Sequence, residues 1–172
     1  GDLDKFNPAR LNIAVDEFLR AEGAFYAGSS GGKITLHPEA ANPILTLLHE
    51  YTHAILSFLP EKELSELFSE YTRAVAMISA SGEDWGQFIP ALRDDGHWNI
   101  ADAYAEIARL SKLSGAERVE AIRMSAYFQE FCAYGTQEER LEKFFSSSQI
   151  ALPLRERIKQ TPPLLSMVSE NG

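Results

Sequence analysis

The sequence predicts a mainly α-helical chain with a small β-hairpin or sheet, which is an α+β fold. Two observations carry this prediction. Apolar residues recur every three or four positions over most of the chain, as in amphipathic helices. One short region near the start instead has two apolar segments separated by glycines and serines, which is typical of a hairpin. Hydrophobic residues make up 45% of the 172 positions, enough for one domain with a packed core.

The first predicted elements are a helix and a hairpin. Apolar residues at helical spacing predict the helix over residues 8–20. Two short strands, one around Phe25 and one over residues 33–36, flank a Gly/Ser loop at residues 28–32. That loop lacks the lysine and the following Ser/Thr of a P-loop, so we expect a turn and not a phosphate cradle.

Four helices are predicted after the hairpin. The first begins at Asn42 and Pro43, because Asn is a favoured N-cap and Pro suits the first helical position, and it ends before Pro60. Residues 1–172 are predicted to form a single domain, of which residues 146–172 are a peripheral tail. The remaining predicted elements are a long amphipathic helix at residues 64–78, a loop at 82–96, and helices at 99–112 and 116–134.

Charge and hydropathy narrow the classes of partner. The net charge of −9 argues against a nucleic-acid partner, which would need a basic patch. The sequence also has no Lys/Arg cluster that could bind an anionic membrane surface. No apolar run approaches the roughly 20 residues of a membrane span. The start of the sequence has neither a basic nor an apolar stretch, so no signal peptide is predicted. We therefore expect a soluble protein whose compartment the sequence leaves open.

The stretch LLHEYTHAI, residues 47–55, indicates a metal site. On a helix His49 and His53 share one face, so both imidazoles can reach one Zn²⁺ at about 2.0–2.1 Å. Glu50 lies beside that face, where it can take a proton from zinc-bound water. At this chain's own His and Glu frequencies, the pattern arises by chance in roughly 1% of such sequences. Two merely structural histidines would also leave Glu50 in an apolar helix at a desolvation cost.

These residues, preceded by the second predicted strand, resemble the zincin superfamily of metallopeptidases. The resemblance covers the hairpin and the active-site helix well, and the later helices only loosely. It implies an active-site helix that follows an edge strand, and zinc-dependent hydrolysis of a peptide or protein substrate with Glu50 as general base. The metzincin branch would need glycine and histidine where this chain has Leu56 and Leu59. The pattern instead resembles the gluzincin branch, whose third ligand is a carboxylate on a later helix.

Several carboxylates compete for the position of third ligand. Glu130 lies on an otherwise apolar face of the predicted 116–134 helix, where an unpaired carboxylate would be costly. Its surroundings also resemble the ligand helix of lethal-factor-like zincins. Glu106 and Asp102 share a polar face, which favours solvated ion pairs, although their segment also resembles such ligand helices. Glu70 lies on a polar face too. The predicted zinc ligands are therefore His49, His53 and Glu130.

Two further predictions concern side chains with reactive groups. A hydrolytic zincin usually has a donor that stabilises the oxyanion of the intermediate. The eligible residues, none of which the sequence singles out, are His97, Tyr104, Tyr127 and Tyr134. Cys132 has no local histidine to act as its base, so we expect a buried apolar residue and not a nucleophile.

Two rival functions stay open. A zincin-like domain that does not cleave would serve as a binding or regulatory module of a larger protein. A purely structural metal would need a fourth protein ligand, which His97 or Asp102 could supply.

Overall fold

The computed structural model describes residues 11–28, 32–82 and 99–135. Helices account for 64% of these residues, and the strands form one small mixed sheet, so the predicted α+β class is confirmed. The described residues belong to two compact units, one that ends at Pro60 and one that begins at Glu61. The expectation of a single domain stays a prediction, and its tail at residues 146–172 lies outside the described residues.

The first unit contains the sheet, in which the strands have the spatial order β1-β3-β2. These strands are β1 (Leu11–Val15), β2 (Gly23–Ala27) and β3 (Gly32–Leu36). β2 and β3 form the predicted antiparallel hairpin, with Phe25 opposite Ile34. β1 runs parallel to β3, with Ile13 also opposite Ile34. Ile34 is completely buried, so the middle of the sheet lies in the core of this unit.

Two predictions about this sheet are wrong. Residues 11–15 of the predicted 8–20 helix form strand β1. The β-branched Ile13 and Val15 favour an extended chain, and pairing with β3 decides the conformation. The strand before the helix of the histidine motif is predicted to be an edge strand, but β3 has a hydrogen-bonded neighbour on each side. Because β1 was not foreseen as a strand, its place beside β3 was not foreseen either.

Helix α1 (Pro43–Phe58) follows β3 and carries the histidine motif. The side chain of Asn42 accepts a hydrogen bond from the Leu45 N–H at 3.1 Å, and Pro43 occupies the first helical position, as predicted. The helix ends just before Pro60, whose ring disfavours helical geometry in the residue that precedes it. α1 packs against β2 and β3, and this contact forms the body of the first unit.

The described part of the second unit contains four helices, and the first of them contacts the other three. They are α2 (Glu61–Ala80), α3 (Ile100–Ser111), α4 (Gly115–Met124) and α5 (Ala126–Gly135). The long amphipathic helix predicted at 64–78 is confirmed as α2. Its Phe68 and Tyr71 meet Phe128 and Phe131 of α5 edge-to-face, with ring centroids 5.3–5.6 Å apart. None of the described helices combines the length and apolarity that a membrane span requires.

The single helix predicted at residues 116–134 is instead α4 and α5, which are separated at Ser125. Ser125 has extended backbone geometry, with φ −71° and ψ 111°. Its hydroxyl oxygen accepts a hydrogen bond from the Phe128 N–H at 3.1 Å, which caps the start of α5. The hydroxyl also donates to the carboxylate of Glu106 on α3. The apolar spacing continues across this serine, so periodicity alone did not reveal the break.

The two other predictions for this region have different outcomes. The helix expected at 99–112 is confirmed as α3, and Asn99 caps it by accepting a hydrogen bond from the Asp102 N–H at 2.9 Å. The loop expected at 82–96 lies outside the described residues except for Gly82.

Candidate metal centre

His49 and His53 lie one turn apart on α1, are half-buried, and have rings in direct contact. Their Nε2 atoms are 3.2 Å apart, and the ring planes are inclined at 73°. In a tetrahedral zinc site with Zn–N distances of about 2.0–2.1 Å, two ligating nitrogens lie about 3.3 Å from each other. The two imidazoles therefore already have the separation that two ligands of one zinc ion need.

The half-buried carboxylate of Glu130 supplies a third donor. One ligand atom from each of His49, His53 and Glu130 lies within 4.8 Å of the other two. Within residues 11–28, 32–82 and 99–135, these three side chains form the group of His, Cys, Asp or Glu residues whose donor atoms are close enough together to hold one metal ion. The structure thus brings the three predicted ligands together as a possible metal-binding group, whereas zinc as the metal stays a prediction.

Glu50, the predicted general base, is buried directly after the first histidine of α1. Only 8% of this residue is exposed. Strand β2 approaches it closely at Gly23, where an added Cβ would lie 3.2 Å from Glu50 Cγ and 3.5 Å from its Oε1. A buried carboxylate is costly unless its surroundings compensate, and this one lies directly beside a potential metal ligand in sequence.

Two of the competing carboxylates are bound to other side chains. Glu70 accepts a hydrogen bond from Arg73 at 2.6 Å, as expected for a polar helix face. Glu106 accepts a hydrogen bond from the buried Ser125 hydroxyl and lies 3.9 Å from the guanidinium of Arg109. The Glu106 side chain is only 19% exposed, so the solvated face predicted for it is not observed. Neither carboxylate belongs to the possible metal-binding group.

Asp102 and His37 also lie outside that group. Asp102 is exposed and accepts a hydrogen bond from the side chain of Asn99 at 2.8 Å, at the start of α3. His37 accepts a hydrogen bond through Nδ1 from the Glu39 N–H at 3.0 Å. His97, the other suggested fourth ligand, lies outside the described residues.

The eligible oxyanion donors differ in their surroundings. Tyr104 is 37% exposed. The Tyr127 hydroxyl accepts a hydrogen bond from the Asn99 N–H at 3.4 Å, and Tyr134 is half-buried near the end of α5. The catalytic use of any of them stays a prediction.

Cys132 is the buried apolar residue that the sequence predicts. It is 3% exposed and forms no disulfide. Burial raises the pKa of its thiol well above the ordinary value, which disfavours the reactive thiolate. Burial, followed by the nearby Glu106 carboxylate, likewise raises the pKa of the Tyr71 hydroxyl. Neither group is placed to act as a nucleophile at neutral pH.

Sequence reasoning missed two residues that shape the site. Gly23 permits the close approach of β2 to α1, and an isolated glycine within a strand is a known signal of such an approach. Ser125 ends α4 and caps the helix that carries Glu130. A serine within an apolar helical pattern is a signal for a break, because its hydroxyl competes for backbone groups.

Comparisons with known proteins assign no family. The chain matches no protein-family model, no curated protein and no solved structure. The likeness to zincins therefore depends on the histidine motif and its flanks and stays a prediction. The α+β fold and the possible metal-binding group depend on the structure alone.

Proposed function

We propose that this protein is a zinc-dependent peptidase that hydrolyses peptide bonds in a peptide or protein substrate. One observation carries the proposal: the donor atoms of His49, His53 and Glu130 lie within 4.8 Å of one another, and the buried Glu50 follows the first histidine directly. Two imidazoles and one carboxylate form a donor set typical of catalytic zinc sites, in which a fourth position is left for water or substrate.

The residues present fit this metal. Imidazole nitrogen and carboxylate oxygen are both donors that Zn²⁺ accepts, and the 3.2 Å separation of the histidine Nε2 atoms suits tetrahedral coordination. When bound, the ion would polarise a substrate carbonyl and lower the pKa of a coordinated water. Asp102, one of the two suggested fourth ligands of a structural site, is engaged with Asn99 instead.

Glu50 has the role of proton carrier in this proposal. Its carboxylate takes a proton from the attacking water and later delivers a proton to the leaving amine. A side chain in this role must stay within hydrogen-bond reach of the proton it moves. The burial of Glu50 between α1 and β2 supports this role, because a packed side chain has few alternative positions.

The substitution Glu50→Gln tests the proposal, because glutamine has nearly the same size but cannot accept the proton. We expect unchanged zinc content, with hydrolysis lower by a factor on the order of 10²–10⁴. Zinc is measured by elemental analysis, and hydrolysis with a fluorogenic peptide library. Glu70→Gln is the matched control, since it makes the same change on a carboxylate outside the metal-binding group, and it should retain both properties.

Two outcomes would contradict parts of the proposal. Hydrolysis by Glu50→Gln at the wild-type rate would remove Glu50 from the mechanism. Zinc binding by the wild-type protein without cleavage of any peptide in the library would instead support the non-cleaving binding module.

A further inference from the structure

We propose that Gly23 is a positioning residue for Glu50. Because glycine has no side chain, β2 can lie close to α1, and this close approach determines where the Glu50 carboxylate lies. The inference depends on the proposed function in one respect: it concerns the general base of that reaction. The contact itself is within the first unit, where β2 packs against α1.

The space beside Gly23 does not admit a Cβ unless its neighbours shift. A Cβ at this position would lie 2.5 Å from Cγ2 of Thr46 and 3.2 Å from Cγ of Glu50, whereas carbon atoms in contact prefer about 3.5–4.0 Å. Backbone conformation is not the reason for glycine here, since Gly23 is not among the glycines with positive φ. Steric access to α1 is therefore what this position requires.

The two neighbours of Gly23 differ in the shape of their side chains. Thr46 is β-branched, and its hydroxyl donates to the Asn42 carbonyl at 3.0 Å, so its rotamer is held. Glu50 has a longer and unbranched side chain. An added Cβ is therefore expected to push the strand away from Thr46 and to turn the Glu50 side chain.

A small displacement of Glu50 would matter for catalysis. A general base works only within about 2.6–3.2 Å of its proton partner. A misplacement of about 1 Å can reduce a rate on the order of 10²-fold. The three atoms nearest to the added Cβ belong to Thr46 and Glu50 and not to the proposed ligands His49 and His53, so metal binding is expected to persist.

Three variants separate positioning from mere folding: Gly23→Ala, Thr46→Ser and the double variant. Thr46→Ser removes the Cγ2 atom, which gives the 2.5 Å contact, and keeps the hydroxyl that bonds to Asn42. The double variant therefore relieves the more severe clash but leaves the new Cβ 3.2 Å from Glu50 Cγ. Thr46→Ser alone is the matched control.

Stability, zinc content, kcat and KM are measured for each variant. We expect Gly23→Ala to lose thermal stability and at least tenfold in kcat, with zinc content and KM little changed. The double variant should regain stability while kcat stays low. Recovery of kcat together with stability would overturn the proposal, because Gly23 would then serve the fold alone.

A second measurement does not need activity. The glutamate side-chain carboxyl carbons are labelled with ¹³C, and the Glu50 resonance is assigned by its loss in Glu50→Gln. It should shift in Gly23→Ala and in the double variant, and much less in Thr46→Ser. An unshifted resonance in both glycine variants would overturn the proposal. If the wild-type protein cleaves no peptide, the proposed function fails, while this spectrum still decides whether Gly23 positions Glu50.

Discussion

The substitution Ser125→Ala is expected to destabilise the second unit through two lost hydrogen bonds. The hydroxyl of this buried serine accepts from the Phe128 N–H at 3.1 Å and donates to the Glu106 carboxylate. Loss of an N-cap costs about 1 kcal/mol, and loss of a hydrogen bond to a charged group about 1.5–3 kcal/mol. Because the Glu106 side chain is 19% exposed, water replaces part of the second contribution. We therefore expect a loss of about 2–3 kcal/mol in the free energy of unfolding.

Thermal or urea denaturation, followed by circular dichroism, measures this loss. For a chain of this size, 1 kcal/mol corresponds to about 2–4 °C in Tm, so the expected decrease is about 4–12 °C. Ser114→Ala is the matched control. Ser114 occupies the same N-cap position before α4, but its side chain makes no capping hydrogen bond. This control should change the free energy of unfolding by less than about 0.5 kcal/mol.

Ser125→Ala should also weaken metal binding. Ser125 caps α5, the helix that carries Glu130. Removal of a group that orients a ligand typically lowers metal affinity 10–100-fold, and we expect a decrease on the order of tenfold. Equal stability of Ser125→Ala and Ser114→Ala would refute the reasoning, since it would show that neither hydrogen bond of Ser125 contributes.

Three further predictions concern the ligand set, a strand and a thiol. Glu130→Ala should sharply lower zinc content by elemental analysis while Glu106→Ala retains it, and equal retention in both would exclude Glu130 as a ligand. Gly32→Ala should lower the free energy of unfolding in urea more than Gly82→Ala. A Cβ at residue 32 would lie 2.4 Å from a backbone carbonyl oxygen, whereas a Cβ at residue 82 would meet nothing within 4 Å. Equal losses in the two variants would contradict this prediction. Burial raises the pKa of the Cys132 thiol. Above a pH of about 8.5 the unfolded chain therefore loses a proton that the folded protein keeps. In that pH range the free energy of unfolding should fall by up to about 1.4 kcal/mol per pH unit. Urea titrations at several pH values should show a smaller slope for Cys132→Ala, and an identical slope would refute the assignment.

Elements determined by local interactions were predictable from the sequence. Asn42 and Pro43 set the start of α1, and once that helix exists, the spacing of His49 and His53 places both rings on one face. No distant part of the chain is needed for either result. The part of the candidate site that lies on α1 was therefore predictable from the sequence.

Elements determined by distant interactions were not predictable in the same way. Strand β1 is a strand because it pairs with β3, about twenty residues later, and a local apolar pattern cannot show that pairing. The prediction of Glu130 as a ligand depends on an apolar face of a single helix over residues 116–134. The extended backbone of Ser125 interrupts the helical periodicity, so the positions in α4 carry no information about the face of Glu130. The neighbours of Glu130 within α5 are the part of that argument that applies.

The mixed order of the sheet has a consequence for the folding pathway. Hairpin β2-β3 and helix α1 follow one another over residues 23–58, so their mutual contacts close only short loops. Closing a short loop costs little conformational entropy, so these contacts are expected to form early in folding. The parallel pairing of β1 with β3 must instead close a longer loop that contains β2. Both histidines, Glu50 and Gly23 lie within that early segment. Substitutions in β1 are accordingly expected to speed unfolding more than they slow folding, with the reverse for substitutions in the hairpin.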